Sequence, residues 1–271
     1  MCQLSGVADI AQAFGHGISH LTTRQDIQLH FVKLARVPEL LKRLAALGLG
    51  TREACGNSVR NITACPMAGV SGEETFDVRP YALATSAYLL RNPFAQQLSR
   101  KFKIAFSACP EDCVATAIHD IGAVGESRTE DGRERYGFRI LVGGGLGATP
   151  YVAETLSDFV PLEELLVTVK AVLQVFSGFG NRRNKARARL KFVVHKLGLK
   201  TFRARVDEAL RDLTPEERKK AALTLYVPER FQALAASHLS GLAEPLSGSL
   251  PDSLAFRSAG VRPHRDPAKA I

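Results

Sequence analysis

The segment SRKFKIAFSACPEDC, residues Ser99–Cys113, combines two chemical patterns in one short stretch. Apolar and polar side chains alternate in its first part, which predicts a strand with Lys101 and Lys103 on one face. Side chains on the same face of a strand lie roughly 6.5–7 Å apart, so the two ammonium groups could bind one small anion from one side. The strand leads directly to Cys109 and Cys113, whose spacing lets a loop or a helix start direct two thiols at one metal centre. Taken alone, the lysine pair also fits a solvated strand face, and the cysteine pair also fits small buried side chains.

The composition is that of a globular protein. The chain has 271 residues, of which 45% are hydrophobic and 23% are charged, and this length allows one large or two ordinary domains. It contains no run of 18 apolar residues and no basic-then-apolar start typical of a signal peptide, so we expect a cytoplasmic protein without membrane segments. Five cysteines in such a chain favour reduced thiols or metal ligands over a disulfide framework.

Positive charge is concentrated in one segment. The formal net charge is +9, and residues 181–205 contain ten Lys or Arg and no acidic residue. This pattern predicts an anionic partner. A nucleic acid is disfavoured, because no aromatic residues interleave with the arginines and no helix-turn-helix or zinc-finger spacing is present. A solvated face and an anionic cofactor are the remaining explanations, and the further cations upstream, Arg24, Arg60 and the lysine pair, favour the cofactor.

The apolar periodicity predicts an α+β chain. Helix, strand and helix near the N-terminus suit half of a small α+β sandwich, for which the sequence supplies no first strand. Residues 51–69 are polar and predict an irregular segment, and the Pro, Ser and Gly content after Ser240 predicts a linker. The predicted helices cover about residues 4–14, 37–47, 77–90, 111–119, 162–176, 181–197 and 200–240, and the predicted strands cover 22–32, 101–106 and 136–142, with a hairpin tip at 130–134.

The glycine run Gly143–Gly147 follows a predicted strand, as a dinucleotide-binding loop would. Its spacing is not G-x-G-x-x-G, and Pro150 interrupts the expected helix start. We therefore expect a tight turn that packs against a large flat neighbour.

Four cysteines form two pairs along the sequence, Cys55 with Cys65 and Cys109 with Cys113. An iron–sulfur cluster needs four thiolates, which these pairs could supply from flexible loops. Zinc fits less well, because the first pair is spaced more widely than in the usual zinc motifs. The four thiols are therefore candidate ligands of an iron–sulfur cluster.

Several segments taken together resemble the sirohaem-dependent nitrite and sulfite reductases. The match runs in order through roughly residues 4–205. The motif SACPEDC fits the family's S-G-C-x3-C-x6-D signature, with Ala108 in place of the glycine and Asp120 as the acid. The other segments that carry the resemblance are HLTTRQDIQ (20–28), ACGNSVRNITACP (54–66), RKFK (100–103), DIG (120–122) and GNRRNKARARLK (180–191).

The resemblance implies a fold of class α+β in three parts. We expect a ferredoxin-like half-domain at residues 1–50, a nitrite/sulfite reductase domain of α/β type for sirohaem and a [4Fe-4S] cluster at 51–205, and a helical extension and linker towards a second half at 206–271. Family members have two pseudo-symmetric halves with sirohaem between them, and this chain resembles the N-terminal half. In the family, six electrons pass through the cluster to sulfite or nitrite. Because the sequence has no flavin or nicotinamide motif, we expect an external donor, ferredoxin or a flavoprotein.

The same resemblance implies the site residues. Crowded cations around the substrate anion should lower the pKa of at least one lysine. The implied roles are substrate-anion binding by Arg24, Arg60, Lys101 and Lys103 and sirohaem contacts by Asn61, Arg187, Arg189 and Lys191. Cluster ligation by Cys55, Cys65, Cys109 and Cys113 is predicted from their pairing along the sequence and not by the resemblance.

Two alternatives stay open. In two-half members the cluster ligands usually lie in the second half, as C-x5-C and C-x3-C, so the four cysteines of this chain could instead have no ligand role. The chain could also be a non-catalytic tetrapyrrole-binding or cluster-carrying module that acts with a second chain.

Overall fold

The computed structural model describes residues 2–225. They divide into two compact units after Gly56. The predicted linker after Ser240, and the end of the helical segment predicted for 200–240, lie outside the described residues. Within the described part of the chain, no helix combines the length and the apolar composition needed to cross a membrane.

The first unit contains two helices and a small hairpin. Both helices were predicted from their amphipathic periodicity, and the structure confirms them. Their apolar faces form a core of Val7, Ile10, Phe14, Leu40 and Leu44. The elements of this unit are α1 (Cys2–Phe14), β1 (Ser19–Leu21), β2 (Ile27–Leu29), a 3-10 turn (Leu34–Arg36) and α2 (Val37–Ala46).

The single strand predicted for residues 22–32 is wrong, because a turn interrupts it. The Thr22 hydroxyl accepts hydrogen bonds from the backbone N–H groups of Arg24 and Asp26, at 3.3 and 3.1 Å. These bonds close a turn between β1 and β2, which pair antiparallel. The alternation predicted Ile27, Leu29 and Phe31 on the inner face, yet Ile27 is 41% and Phe31 68% exposed, and only Leu29 packs against the core of this unit.

The second unit is built on a five-stranded mixed sheet in the order β3-β4-β5-β6-β7. The first three strands are parallel, and the last two are added antiparallel. The strands are β3 (Val59–Ala64), β4 (Phe102–Ser107), β5 (Ile121–Glu130), β6 (Arg133–Val142) and β7 (Glu154–Pro161). The helices are α3 (Arg79–Leu89), α4 (Pro93–Gln96), α5 (Leu165–Phe179), α6 (Leu190–Leu197), α7 (Leu199–Arg211) and α8 (Pro215–Leu225), with 3-10 turns at Thr116–Ile118, Leu162–Glu164 and Lys185–Arg187.

The core of this unit lies between the sheet and α5. Helix α5 is buried along most of its length, and β4 is buried on both faces, as expected for a central strand flanked by parallel neighbours. The Phe102 ring on β4 lies 5.4 Å from the ring of Phe176 on α5. Helices α7 and α8 add Phe202, Val206 and Ala221 to the same core.

Two irregular segments were predicted as helices. In the first, residues 111–119, the backbone is left-handed at Asp112 and Ala115, which breaks a helix, and only a 3-10 turn forms. In the second, 181–197, the Asn181 and Asn184 side chains accept backbone N–H groups at 2.9–3.0 Å. Such local bonds compete with helix formation, so the helix begins only at Leu190.

Two strands of the second unit were missed. The polar segment expected to be irregular contains β3, whose backbone pairs with β4 although half of its side chains are polar. Strand β7 is the outermost strand on the side of the sheet away from β3, and its charged side chains hide the alternation of apolar and polar residues. The predicted β5–β6 hairpin is confirmed, with Asp131 and Gly132 at its tip in the left-handed conformation that such turns require.

Candidate functional site

The parallel strands separate the two chemical patterns of the opening segment. The start of a parallel strand lies at one edge of the sheet and its end at the other. Lys101 and Lys103 flank the start of β4, whereas Cys109 follows its end. A strand of six residues is about 20 Å long. The two patterns are neighbours in sequence but lie at opposite edges of the sheet, and each gathers further residues at its own edge.

We name these two groups the cationic edge and the thiol edge. The cationic edge comprises Arg60, Lys101, Lys103, Asp120 and Arg189. The thiol edge comprises Cys65, Cys109 and Cys113, whose sulfur atoms all lie within 4.8 Å of one another.

Asp120 organises the cationic edge. Its carboxylate is fully buried, and the residue itself immediately precedes β5. It accepts hydrogen bonds from Arg189 Nε at 3.2 Å, from Arg189 Nη2 at 2.6 Å and from the backbone N–H of Lys103 at 2.9 Å. A single carboxylate therefore ties the starts of β4 and β5 to the residue that precedes α6.

The charges at this edge influence one another. Burial raises the pKa of the Asp120 carboxyl, and the contacts with Arg189 and Lys103 oppose that rise. Burial lowers the pKa of the Lys101 ammonium, and the positive charges of Arg189, Arg60 and Arg100 lower it further. The pKa of Lys101 is thus lowered in the expected direction, with burial as the larger cause and the crowded cations as the smaller one.

Lys191, a predicted sirohaem contact, holds the glycine loop. Only 4% of the residue is exposed, and its ammonium donates to the carbonyl oxygens of Gly145, Leu146 and Thr149 at 3.3, 3.0 and 2.6 Å. Burial, with the nearby Arg189 charge, lowers the pKa of this lysine. The loop is tight, as expected, since a Cβ at Gly144 would lie 2.3 Å from the carbonyl oxygen of Ala117.

The thiol edge forms where β3 and β4 end. Cys65 directly follows β3, and its backbone N–H donates to the carbonyl of Phe106 on β4 at 2.9 Å. Its sulfur lies 3.7 Å from that of Cys109, and both thiols are buried. Cys113 is exposed, with its sulfur 3.9 Å from a carboxylate oxygen of Glu111.

The two buried thiols differ in acidity. Burial raises the pKa of Cys65 to about 12, and neighbouring thiols add to this effect. Burial also opposes ionisation of Cys109, yet hydrogen bonds from Ser107, Cys65 and the backbone N–H groups near Asp112 hold its pKa below the ordinary value.

The remaining predicted site residues lie elsewhere. Arg24 and Cys55 belong to the first unit, where Arg24 is half-buried and Cys55 is exposed. Asn61 is half-buried on β3, next to Arg60. Arg187 is exposed and lines an open cleft of about 550 Å³ together with aromatic side chains.

Asp120 is the site residue whose role sequence reasoning missed. It was recognised as part of a motif without a function. The sequence does place an acidic residue directly before an apolar strand, in a chain with more basic than acidic residues, and this pattern could have indicated its role. Its partner Arg189 lies 69 residues further along the chain, which no local pattern reveals.

Two family models match the chain with these features. The nitrite/sulfite reductase ferredoxin-like half domain matches residues 3–47. The nitrite and sulphite reductase 4Fe-4S domain matches residues 55–212, more than half of the chain. The chain therefore belongs to the nitrite and sulphite reductase 4Fe-4S domain family, and the predicted family and α+β fold are confirmed.

Two of the similar proteins are named as ferredoxin-dependent nitrite or sulfite reductases. The chain is 35% identical over 222 residues to an assimilatory ferredoxin-dependent nitrite reductase of Haloferax mediterranei, covering 78% of this chain and 38% of that protein. It is 38% identical over 197 residues to sulfite reductase [ferredoxin] 1 of Mycolicibacterium paratuberculosis, covering 73% and 35%. The solved structure of the Mycobacterium tuberculosis NirA protein aligns with a TM-score of 0.71 and 33% identity, covering 77% and 38%. The chain thus spans little more than a third of these relatives.

The donor chemistry suits the cofactors of the family. Thiolates are the ligands of iron–sulfur clusters, and the thiol edge brings three of them together. Sirohaem carries carboxylates, for which the cationic edge and Arg187 offer guanidinium and ammonium groups.

Proposed function

We propose that the chain takes part in the reduction of nitrite or sulfite as the N-terminal half of a sirohaem-dependent reductase. The observation that carries the proposal is the convergence of Arg60, Lys101, Lys103 and Arg189 at one edge of a domain of this family. The named relatives reduce nitrite or sulfite with ferredoxin, which supports an external donor, ferredoxin or a flavoprotein. We place the reaction in the cytoplasm and expect a second half or a partner chain to complete the site.

The cationic edge would bind the substrate anion. Lys101 and Arg60 are close enough for their charges to act on each other, so an anion between them would relieve the repulsion between the cations. Lys103 and, from the first unit, Arg24 are the other proposed anion contacts. Donors that face the departing oxygens stabilise the developing charge, an effect typically worth a factor of roughly 10²–10³ in rate per donor.

Lys101 is also the proposed proton donor. Because burial and neighbouring cations lower its pKa, its ammonium gives up a proton more readily than an ordinary lysine would. Each oxygen that leaves as water takes up protons, which Lys101 could deliver at its Nζ atom.

The cofactors would lie against separate groups of residues. Bound sirohaem and the cluster would pass six electrons, one after another, from the external donor to the anion. Arg187 is exposed and best placed to meet a sirohaem carboxylate, with Asn61 as a further contact. Arg189 and Lys191 already have protein partners, so they would act on sirohaem mainly through their charge.

For the cluster, we propose that the three thiols of the thiol edge are ligands. A [4Fe-4S] cluster takes four cysteines, and Cys55 in the first unit stays the predicted fourth ligand. A cluster-carrying module that acts with a second chain would use the same thiols without binding the anion.

The test is the chain produced together with the second half or partner chain that completes the site, in cells that make sirohaem, and purified without oxygen. We expect tetrapyrrole absorption bands, bound iron and sulfide, and oxidation of a reduced viologen dye that depends on nitrite or sulfite. Cofactor bands without anion-dependent dye oxidation would support the non-catalytic alternative. A folded, colourless and iron-free chain would overturn the proposal for this chain.

A further inference from the structure

The sulfur atoms of Cys65 and Cys109 are spaced like two ligands of a single ion, and the Cys113 sulfur is close enough to join them after a small shift of its exposed turn. The Cys65 and Cys109 sulfurs are 3.7 Å apart, and Cys113 joins them within 4.8 Å. A tetrahedral ion with metal–sulfur bonds of about 2.3 Å holds its sulfurs about 3.8 Å apart. In a [4Fe-4S] cluster each cysteine binds a different iron, so the sulfurs stand further apart than around one ion.

The backbone holds this arrangement in place. Cys65 and Cys109 follow adjacent strands, and the hydrogen bond from Cys65 to Phe106 fixes the end of β3 against β4. The turn that carries Cys113 is closed by Asp112, whose carboxylate accepts the N–H and the hydroxyl of Thr116, both at 2.8 Å. The three sulfurs therefore converge through the fold, before any metal is bound.

The site also has an entrance and an available fourth ligand. Cys113 is exposed, which gives an ion access from solvent. The Glu111 carboxylate oxygen lies 3.9 Å from the Cys113 sulfur alone, so a water molecule is the fourth ligand that would complete a tetrahedron with the thiolates. Thiolate ligands select soft or borderline cations over magnesium or calcium.

We propose that Cys65, Cys109 and Cys113 bind one thiophilic divalent cation of the zinc class whenever no iron–sulfur cluster is assembled on them. Zinc fitted the sequence poorly because of the wide spacing between Cys55 and Cys65, and this site does not use Cys55. The proposal rests on the sulfur positions and not on the reductase function.

The test uses the full chain, free of metal and oxygen, with Co²⁺ as the spectroscopic probe. We expect one Co²⁺ per chain, with sulfur-to-cobalt charge-transfer absorption of the strength given by three thiolates. Zn²⁺ added in equal amount should remove this absorption, since zinc binds thiolates more tightly than cobalt.

Cys55→Ser and Cys113→Ser are a matched pair, because both thiols are exposed and neither change disturbs the core. Removing a hydrogen-bond partner of a metal ligand typically lowers metal affinity by a factor of roughly 10–100. Removing the ligand itself should lower the affinity by at least the larger of these factors. We expect Cys113→Ser to weaken Co²⁺ binding about 100-fold or more, and Cys55→Ser to change it less than about twofold.

Three results would overturn the proposal: no stoichiometric Co²⁺ binding, equal losses in the two variants, or unchanged binding in Cys113→Ser. A chain that binds Co²⁺ as expected but never reduces nitrite or sulfite would contradict the proposed function alone. Dye-linked activity without Co²⁺ binding by the metal-free chain would contradict only the single-ion site.

Discussion

The cationic edge and the thiol edge lie at opposite ends of the same parallel strands, and their side chains are held in place in different ways. At the cationic edge, the charged groups are held by side-chain bonds between distant segments, with the buried Asp120 at the centre. At the thiol edge, the sulfurs are placed by strand ends and a tight turn, so backbone geometry positions them. Residues close in sequence, such as Lys103 and Cys109, therefore belong to different sites when a strand separates them.

The largest expected effect comes from the centre of the cationic edge. Asp120→Ala removes the partner of a guanidinium whose side chain is only 14% exposed. Breaking a buried ion pair on one side typically costs about 3–5 kcal/mol of the free energy of unfolding, because the other charge stays buried without compensation. Urea denaturation of the variant measures this loss.

A double variant provides the control for that prediction. Replacing both partners, Asp120→Leu with Arg189→Met, removes the buried charge altogether and should recover at least half of the lost stability. If Asp120→Ala unfolds at the same urea concentration as the natural chain, the central role of Asp120 is wrong.

The second effect concerns the substrate anion. Lys101→Ala removes one proposed donor and one proposed proton source, so we expect nitrite- or sulfite-dependent dye oxidation to fall roughly 10²-fold. The exposed Lys200 on α7 is the matched control, and Lys200→Ala should keep the activity. Equal activity in the two variants would show that the cationic edge does not bind the anion.

The third effect tests how the glycine loop is held. Lys191→Met keeps the length of the side chain but leaves the carbonyls of Gly145, Leu146 and Thr149 without their donor, which should cost about 1–3 kcal/mol of the free energy of unfolding. Lys196→Met, on the same helix but exposed, should change it by less than about 0.5 kcal/mol. A Lys191→Met chain as stable as the Lys196→Met chain would contradict this role of Lys191.

Sequence reasoning recovered the parts of the fold that local patterns encode. The helices at 37–47 and 162–176 were found because their apolar residues recur with helical spacing. The helix expected from 181 failed because Asn181 and Asn184 bond to the local backbone instead. Strand β3 was missed because its pairing with β4, and not its own alternation, makes it a strand.

The same limit applies to the site. The lysines and cysteines were identified because their residue types and spacing carry the chemistry. Their separation depends on the direction of β4, and the partner of Arg189 depends on a contact across 69 residues. Neither is present in a local pattern.

The smallest expected effect is on pH dependence, and it isolates the charge of Lys101. Its pKa is below the ordinary value of 10.5, so its ammonium loses its proton, and anion binding weakens, at a lower pH than for an exposed lysine. Affinity should fall by at most about tenfold per pH unit above that pKa, because one proton is involved. Lys101→Arg stays charged in this range, so its affinity should stay level, as a titration of nitrite or sulfite binding against pH would show.

Stability should change in the opposite direction to anion affinity. Between the lowered pKa of Lys101 and 10.5, the unfolded chain holds more protons than the folded chain, so the free energy of unfolding of the natural chain rises with pH. A natural chain and a Lys101→Arg chain with the same pH profile would place the titrating group elsewhere and break the link between the crowded cations and the anion.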